Sequence, residues 1–167
     1  MSDGATAPAA GEWVLLCYRV PREPSTPRIA IWRKLKRLGV AQIGDGVVAL
    51  PTDARTREQL EWVADDVEQA GGSAVLWTAV PSSRGQERRL AEQMQAARAM
   101  EYAAVEQEAD AARIGPVADR AGVLRRLRGE LRRIERRDYF PPEQKETARA
   151  AVRALAAVIA DQRGELV

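Results

Sequence analysis

The spacing of apolar and polar positions changes character once along the chain. Residues 13–20 (WVLLCYRV) form a short apolar run stopped by Pro21, which reads as a buried strand. The loop PREPSTP follows, and apolar residues then return at helical spacing as Ile31, Leu35 and Leu38. That spacing predicts a helix over about 28–38, with Ser25 or Thr26 as its cap, Pro27 near its first position and Gly39 as its stop. Two apolar pieces next flank Gly44-Asp45-Gly46, a tight-hairpin pattern, and Pro51 closes the second. Leu60, Val63, Ala64 and Val67 predict a second amphipathic helix over about 56–70, capped by Thr52 or Asp53 and stopped by Gly71-Gly72. Residues 73–80 (SAVLWTAV) read as a fourth strand ended by Pro81.

Beyond residue 81 the strand period disappears. Leu90, Met94, Ala97, Ala104 and Val105 give a weak stripe over a helix at about 86–112, which Gly115-Pro116 breaks. Leu124, Leu127, Leu131 and Ile134 make a clean stripe over about 117–137. After the turn DYFPP, Val152, Leu155, Val158 and Ile159 face inward on a third helix, over about 142–162, which would pack back on the second as an antiparallel hairpin. The expected class is α+β: a ferredoxin-like β-α-β-β-α-β sheet followed by a C-terminal three-helix extension. The expected organisation is a flexible tail at 1–11, the ferredoxin-like domain at 12–81 and the helical region at 82–167. No internal repeat is visible.

Composition narrows the chemistry. Hydrophobic residues at 46% and charged residues at 30% fit a globular chain in water. No run approaches the roughly 20 apolar residues of a membrane span, so no membrane association is expected. The chain has no histidine, which removes His-based bases, triads and metal sites. Cys17 is the single cysteine, which removes intramolecular disulfides and Cys-rich zinc sites. In an apolar strand it reads as a small hydrophobe. No cofactor, metal or catalytic residue is expected. The opening MSDGATAPAAGE has no basic stretch leading into an apolar one, so the expected compartment is the cytoplasm.

Charge is distributed unevenly. Residues 28–37 hold five basic groups and no acid, and residues 120–137 hold eight arginines against Glu130 and Glu135. Residues 86–110 hold three arginines against six acids. Dense basic segments are an electrostatic footprint for phosphate. The plainer alternatives are a solvated helix face, or a match to the acidic segment within the chain.

A family resemblance adds to this reading. The pieces WVLLCYRVP, RIAIWRKLKRLGVAQIGDGVVALP and LEWVADDVEQAGGSAVLW resemble the N-terminal domain of the chromate-resistance regulator family ChrB. The Trp-Arg-x-Leu-x-x-Leu-Gly helix, followed by a hairpin ending Leu-Pro, carries most of it. The resemblance implies a cytoplasmic transcriptional regulator of chromate-resistance genes that binds promoter DNA and responds to chromate. Full-length members carry a further C-terminal domain, which is not expected within these 167 residues.

Double-stranded DNA is therefore the expected partner. Arg28, Arg33, Lys34, Lys36 and Arg37 form one candidate phosphate-binding patch, and Arg125, Arg126, Arg128, Arg132, Arg133, Arg136 and Arg137 form a second. No helix-turn-helix pattern is visible, and no aromatic motif on the strands points to single-strand stacking. Arg19, Arg22 and Arg28 are candidates for a chromate-like oxyanion site, against the alternative of three unrelated surface arginines. Trp13, Trp32, Trp62 and Trp77 read as core and interface filler, or as a dimer contact that Tyr139-Phe140 could share. A homodimer is expected because many DNA-binding regulators are symmetric. The other functional class is a non-catalytic protein-interaction or dimerisation module using the arginine-rich helix. The element order also resembles the small metal-dependent nucleases of CRISPR adaptation and the related domain of PaaX-type repressors. Those nucleases place an aspartate at the end of the first strand, where this chain has Cys17-Tyr18-Arg19-Val20. Asp65 and Asp66 read as solvated helix residues, so metal-dependent cleavage is not expected.

Overall fold

A computed structural model describes residues 11–164. The tail expected at 1–11 lies outside them except for Gly11, whose N–H donates to Glu87 Oε1 at 2.8 Å. The elements run β1 (Trp13–Arg19), α1 (Ser25–Leu38), β2 (Ala41–Gly44), β3 (Val47–Pro51), α2 (Ala54–Gln69), β4 (Ser73–Ala79), α3 (Arg84–Ile114), α4 (Val117–Arg136) and α5 (Gln144–Gly164). The chain is α+β, with one four-stranded antiparallel sheet and five helices. It divides into two compact units between Gln93 and Met94, within α3.

In the first unit the strand order is β2-β3-β1-β4. β1 therefore has partners on both sides, which explains its unbroken apolar run. Alternation sends Val14 and Leu16 to one face, opposite Leu50 and Val48 of β3 and Thr78 and Leu76 of β4. That face is closed by α2, which packs on β1 and β4, and by α1, which packs on α2. The core there is Val14, Leu16, Ile31, Leu35, Val48, Leu50, Leu60, Val63 and Val67. Asp53 caps α2 by accepting from the Thr56 N–H at 2.7 Å, while Thr56 Oγ1 accepts from the Asp53 N–H at 2.9 Å.

The α1 cap differs from expectation. Pro24 is the N-cap, and Ser25 and Thr26 lie inside the first turn without capping it. Pro27 is tolerated there because N–H groups of a first turn have no acceptor within the helix. Gly39 ends α1 in the left-handed region at φ 74°. The hairpin depends on Gly46, which takes φ 71° and whose carbonyl accepts from the Tyr18 N–H at 2.8 Å. A Cβ there would run into the Tyr18 carbonyl oxygen.

The second unit is helical. Its core joins Tyr102, Val105 and Ala109 of α3 to Leu124, Leu127, Leu131 and Ile134 of α4 and Ala148, Ala151, Val152 and Leu155 of α5. Of the expected α3 stripe, Met94 and Val105 are buried, and two positions differ. Ala97 and Ala104 are exposed, and Arg98 and Tyr102 are buried in their place. Arg98 can turn inward because its guanidinium pairs with Glu101 at 3.0 Å and its long stem is apolar. The tryptophans also depart from a filler role. Trp13 is 2% exposed, but Trp32, Trp62 and Trp77 are 52%, 55% and 57% exposed. Among the described residues, no helix is long and apolar enough to cross a membrane.

Candidate nucleic-acid interface

The candidate residues fall on two surfaces, one in each unit. On α4, the eight arginines of residues 120–137 separate into three groups. Arg120 is buried and donates to the carbonyls of Ala112 at 3.1 Å and Gly115 at 3.0 Å, holding the last turn of α3. Arg126 pairs with Glu108 of α3, Arg137 with Glu101 of α3 at 3.0 Å, and Arg133 with Glu130 of its own helix. The acidic segment thus neutralises part of the basic one, as the plainer alternative allowed. Arg125, Arg128, Arg132 and Arg136 are exposed and carry no ion pair among the described residues. At 3.6 residues per turn these four lie within an arc of about 80°, in a stripe about 16 Å long. The paired arginines lie on the opposite flank of α4.

The flank choice follows from the neighbours of α4. Its apolar stripe faces the core, so one flank meets the acids of α3. On the other side, Glu135 accepts from Arg149 of α5 at 2.7 Å, which removes the acid nearest the free arginines. Spacing alone could not reveal this, since Arg126 and Glu108 are 18 residues apart.

On α1 the five candidates also divide. Lys34 pairs with Asp66 at 2.6 Å, on the side that meets α2. Arg37 is exposed near the end of the helix. Arg28, Arg33 and Lys36 line an open groove of about 960 Å³ together with Tyr18, Ile29 and Trp32. The Lys36 ammonium lies over the Trp32 ring, 4.6 Å from its centroid. Burial raises the Tyr18 phenol above its ordinary value. Asp45 is the one acid among the lining residues.

The three arginines of the expected oxyanion set do not share one groove. Arg28 shares the groove with Arg33 and Lys36, while Arg19 and Arg22 do not line it. Arg19 sits opposite Ser73 at the end of β1, and Arg22 lies exposed in the loop after it. Tyr18 is the groove residue that sequence reasoning passed over. Its place on β1 gave no sign that it would line one groove with residues of α1.

Comparison with known proteins agrees with the resemblance seen in the sequence. The family described as "Protein ChrB, N-terminal" matches residues 28–114, slightly more than half of the chain. That span includes the α1 cations and ends before α4. Protein ChrB of Cupriavidus metallidurans is 30% identical over 135 residues, covering 78% of this chain and 41% of that relative. The chain thus spans less than half the length of that relative. No solved structure matches.

Proposed function

The chain belongs to the ChrB N-terminal family, and from that premise we propose that it is a DNA-binding transcriptional regulator of chromate-resistance genes, or the DNA-binding N-terminal part of one. In this reading it works in the cytoplasm as a homodimer, carries out no catalytic step and responds to chromate. The observation that carries the reading is the stripe Arg125, Arg128, Arg132 and Arg136, four exposed cations on one flank of α4 without an ion pair among the described residues. Cations that meet phosphates release condensed counterions, and that term dominates non-specific affinity. Arg28, Arg33 and Lys36, three cations against Asp45, add a second positive patch, which also offers an oxyanion its charge-assisted donors. The element order, with β1 between β3 and β4, supports reading the first unit as ferredoxin-like.

The test is fluorescence anisotropy on two labelled duplexes, the gene's own upstream region and a scrambled control, over a salt series with and without chromate. The reading expects tighter binding to the upstream duplex and release by chromate. Equal binding to both, with a steep salt dependence, leaves only a basic surface. Absence of binding to either moves the assignment to a protein-interaction module built on α4.

A further inference from the structure

We propose that the α1 groove is a nucleotide site, with the base stacked on Trp32 and the phosphate held by Arg28, Arg33 and Lys36. The inference does not rest on duplex binding by α4.

Trp32 leaves 52% of its surface in water, and Ile29 beside it leaves 43%. The core of the first unit is filled without the indole, which meets the Lys36 ammonium instead. Arg28, Arg33 and Lys36 project into the same groove, and none forms an ion pair among the described residues. Lys34, on the other side of α1, is neutralised by Asp66. Asp66 thus serves the packed side, and Asp45 is the one acid that lines the groove with the three cations. The Lys36 ammonium lies over one face of Trp32, 4.6 Å from its centroid, so a base takes that face by displacing the ammonium toward the phosphate of the same ligand. About 960 Å³ is far more than a lone tetrahedral oxyanion fills, and it lies in the range of small-molecule sites.

An indole beside three cations selects among anions. Phosphate or chromate alone would use the cations and leave the indole idle. A continuous duplex presents phosphates outward and keeps its base faces stacked inside, so it too gains nothing from Trp32. A nucleotide with a free base face uses both, by the stacking and backbone neutralisation that single-strand sites employ. That nucleotide is either free or an unpaired residue within a strand, and the probes separate the two.

The test uses the full chain and its intrinsic tryptophan fluorescence. It is titrated with adenosine monophosphate, with a hexamer of thymidylate, and with inorganic phosphate as a ring-free control. Saturable quenching by the monophosphate or the hexamer is expected, at concentrations where phosphate gives none. Tighter binding of the monophosphate indicates a free nucleotide, and tighter binding of the hexamer indicates a strand. Trp32→Ala should weaken binding roughly 5- to 150-fold and remove most of the quench. Trp62→Ala, equally exposed but on α2 and outside the groove, should leave affinity unchanged. The Arg33→Gln, Lys36→Gln double variant should weaken binding and flatten its salt dependence. Because Trp32 is outside the core, its removal should leave the thermal midpoint in place. The proposal is overturned if no saturable quench occurs, if phosphate competes as well as the monophosphate, or if Trp32→Ala keeps wild-type affinity. Duplex anisotropy on Trp32→Ala is read in parallel. Its retention beside lost nucleotide binding would show that the two surfaces act separately.

Discussion

The separation of the α4 arginines makes a sharp prediction. The variants to compare are Arg128→Gln with Arg132→Gln, from the unpaired flank, and Arg126→Gln with Arg133→Gln, from the flank held by Glu108 and Glu130. Both pairs remove two positive charges from the same helix, so net charge alone predicts equal effects. The structure predicts otherwise. Each cation on a duplex phosphate contributes about 0.9 to the slope of log K against log salt. If each unpaired arginine meets one phosphate, losing two flattens that slope by about 1.8. Affinity then falls roughly 200-fold at 50 mM salt and about 20-fold at 200 mM, the two losses differing by a factor of about 12. The paired flank should cost less than about threefold. Each of its arginines must leave a carboxylate behind to reach a phosphate, and that carboxylate repels the same strand. The assay is anisotropy of a labelled duplex at several salt concentrations, with circular dichroism to show that both variants keep their helices. Equal slope changes from the two pairs would refute the reasoning, and so would an unchanged slope for the unpaired pair.

Three further predictions concern the scaffold. Gly46→Ala should destabilise by about 2 kcal/mol or more, because Gly46 sits at φ 71° with its Cβ direction aimed at the Tyr18 carbonyl; urea unfolding followed by tryptophan fluorescence checks this, and a loss under about 0.5 kcal/mol would count against it. Tyr102 is fully buried and donates to Asp138 Oδ2 at 2.8 Å, and burial first, then that hydrogen bond, raises its phenol above the ordinary value. A raised pKa means that the folded state holds the proton more tightly. The contribution is therefore complete below the ordinary phenol value of about 10 and declines as pH rises above it. Urea midpoints between pH 8 and 11 should show this decline in the wild type, and Tyr102→Phe should flatten it while costing about 1.5 kcal/mol at neutral pH. Arg120→Met keeps the buried stem but removes the donors to Ala112 and Gly115; it should cost about 2 kcal/mol, with faster amide hydrogen exchange in the last turn of α3 than in the wild type.

Much of the architecture was legible in the sequence because its punctuation is physical. Pro21 and Pro81 follow strands that end at Arg19 and Ala79, and Gly39 closes α1 in a conformation that glycine adopts without cost. Asp53, one of two candidate caps for α2, is the residue that caps it. The failures have equally local causes. Alanine is nearly indifferent to burial, so Ala97 and Ala104 could not define the inner face of α3, and an arginine with a hidden partner took the buried position. Strand order is a long-range property. Nothing in SAVLWTAV told that β4 would lie at an edge, or that Val75 and Trp77 would lie on the face opposite the one α2 covers.

The same limit governs the charges, and it bears on how α4 would meet a duplex. The sequence presents eight arginines in 18 residues, on both flanks of the stripe Leu124, Leu127, Leu131 and Ile134. A helix charged on both flanks could lie against DNA on either one, which favours affinity without orientation. Folding divides the eight: Arg120 holds the end of α3; Arg126, Arg133 and Arg137 are matched by carboxylates; and four remain on one arc. Only one rotational setting then turns all four free cations toward phosphates, and turning the helix over would bring Glu101 and Glu108 to the strand instead. The acids of α3 thus act twice. They tie α3 to α4 within the helical unit, and they remove from α4 the alternative faces on which an arginine-rich helix would otherwise bind.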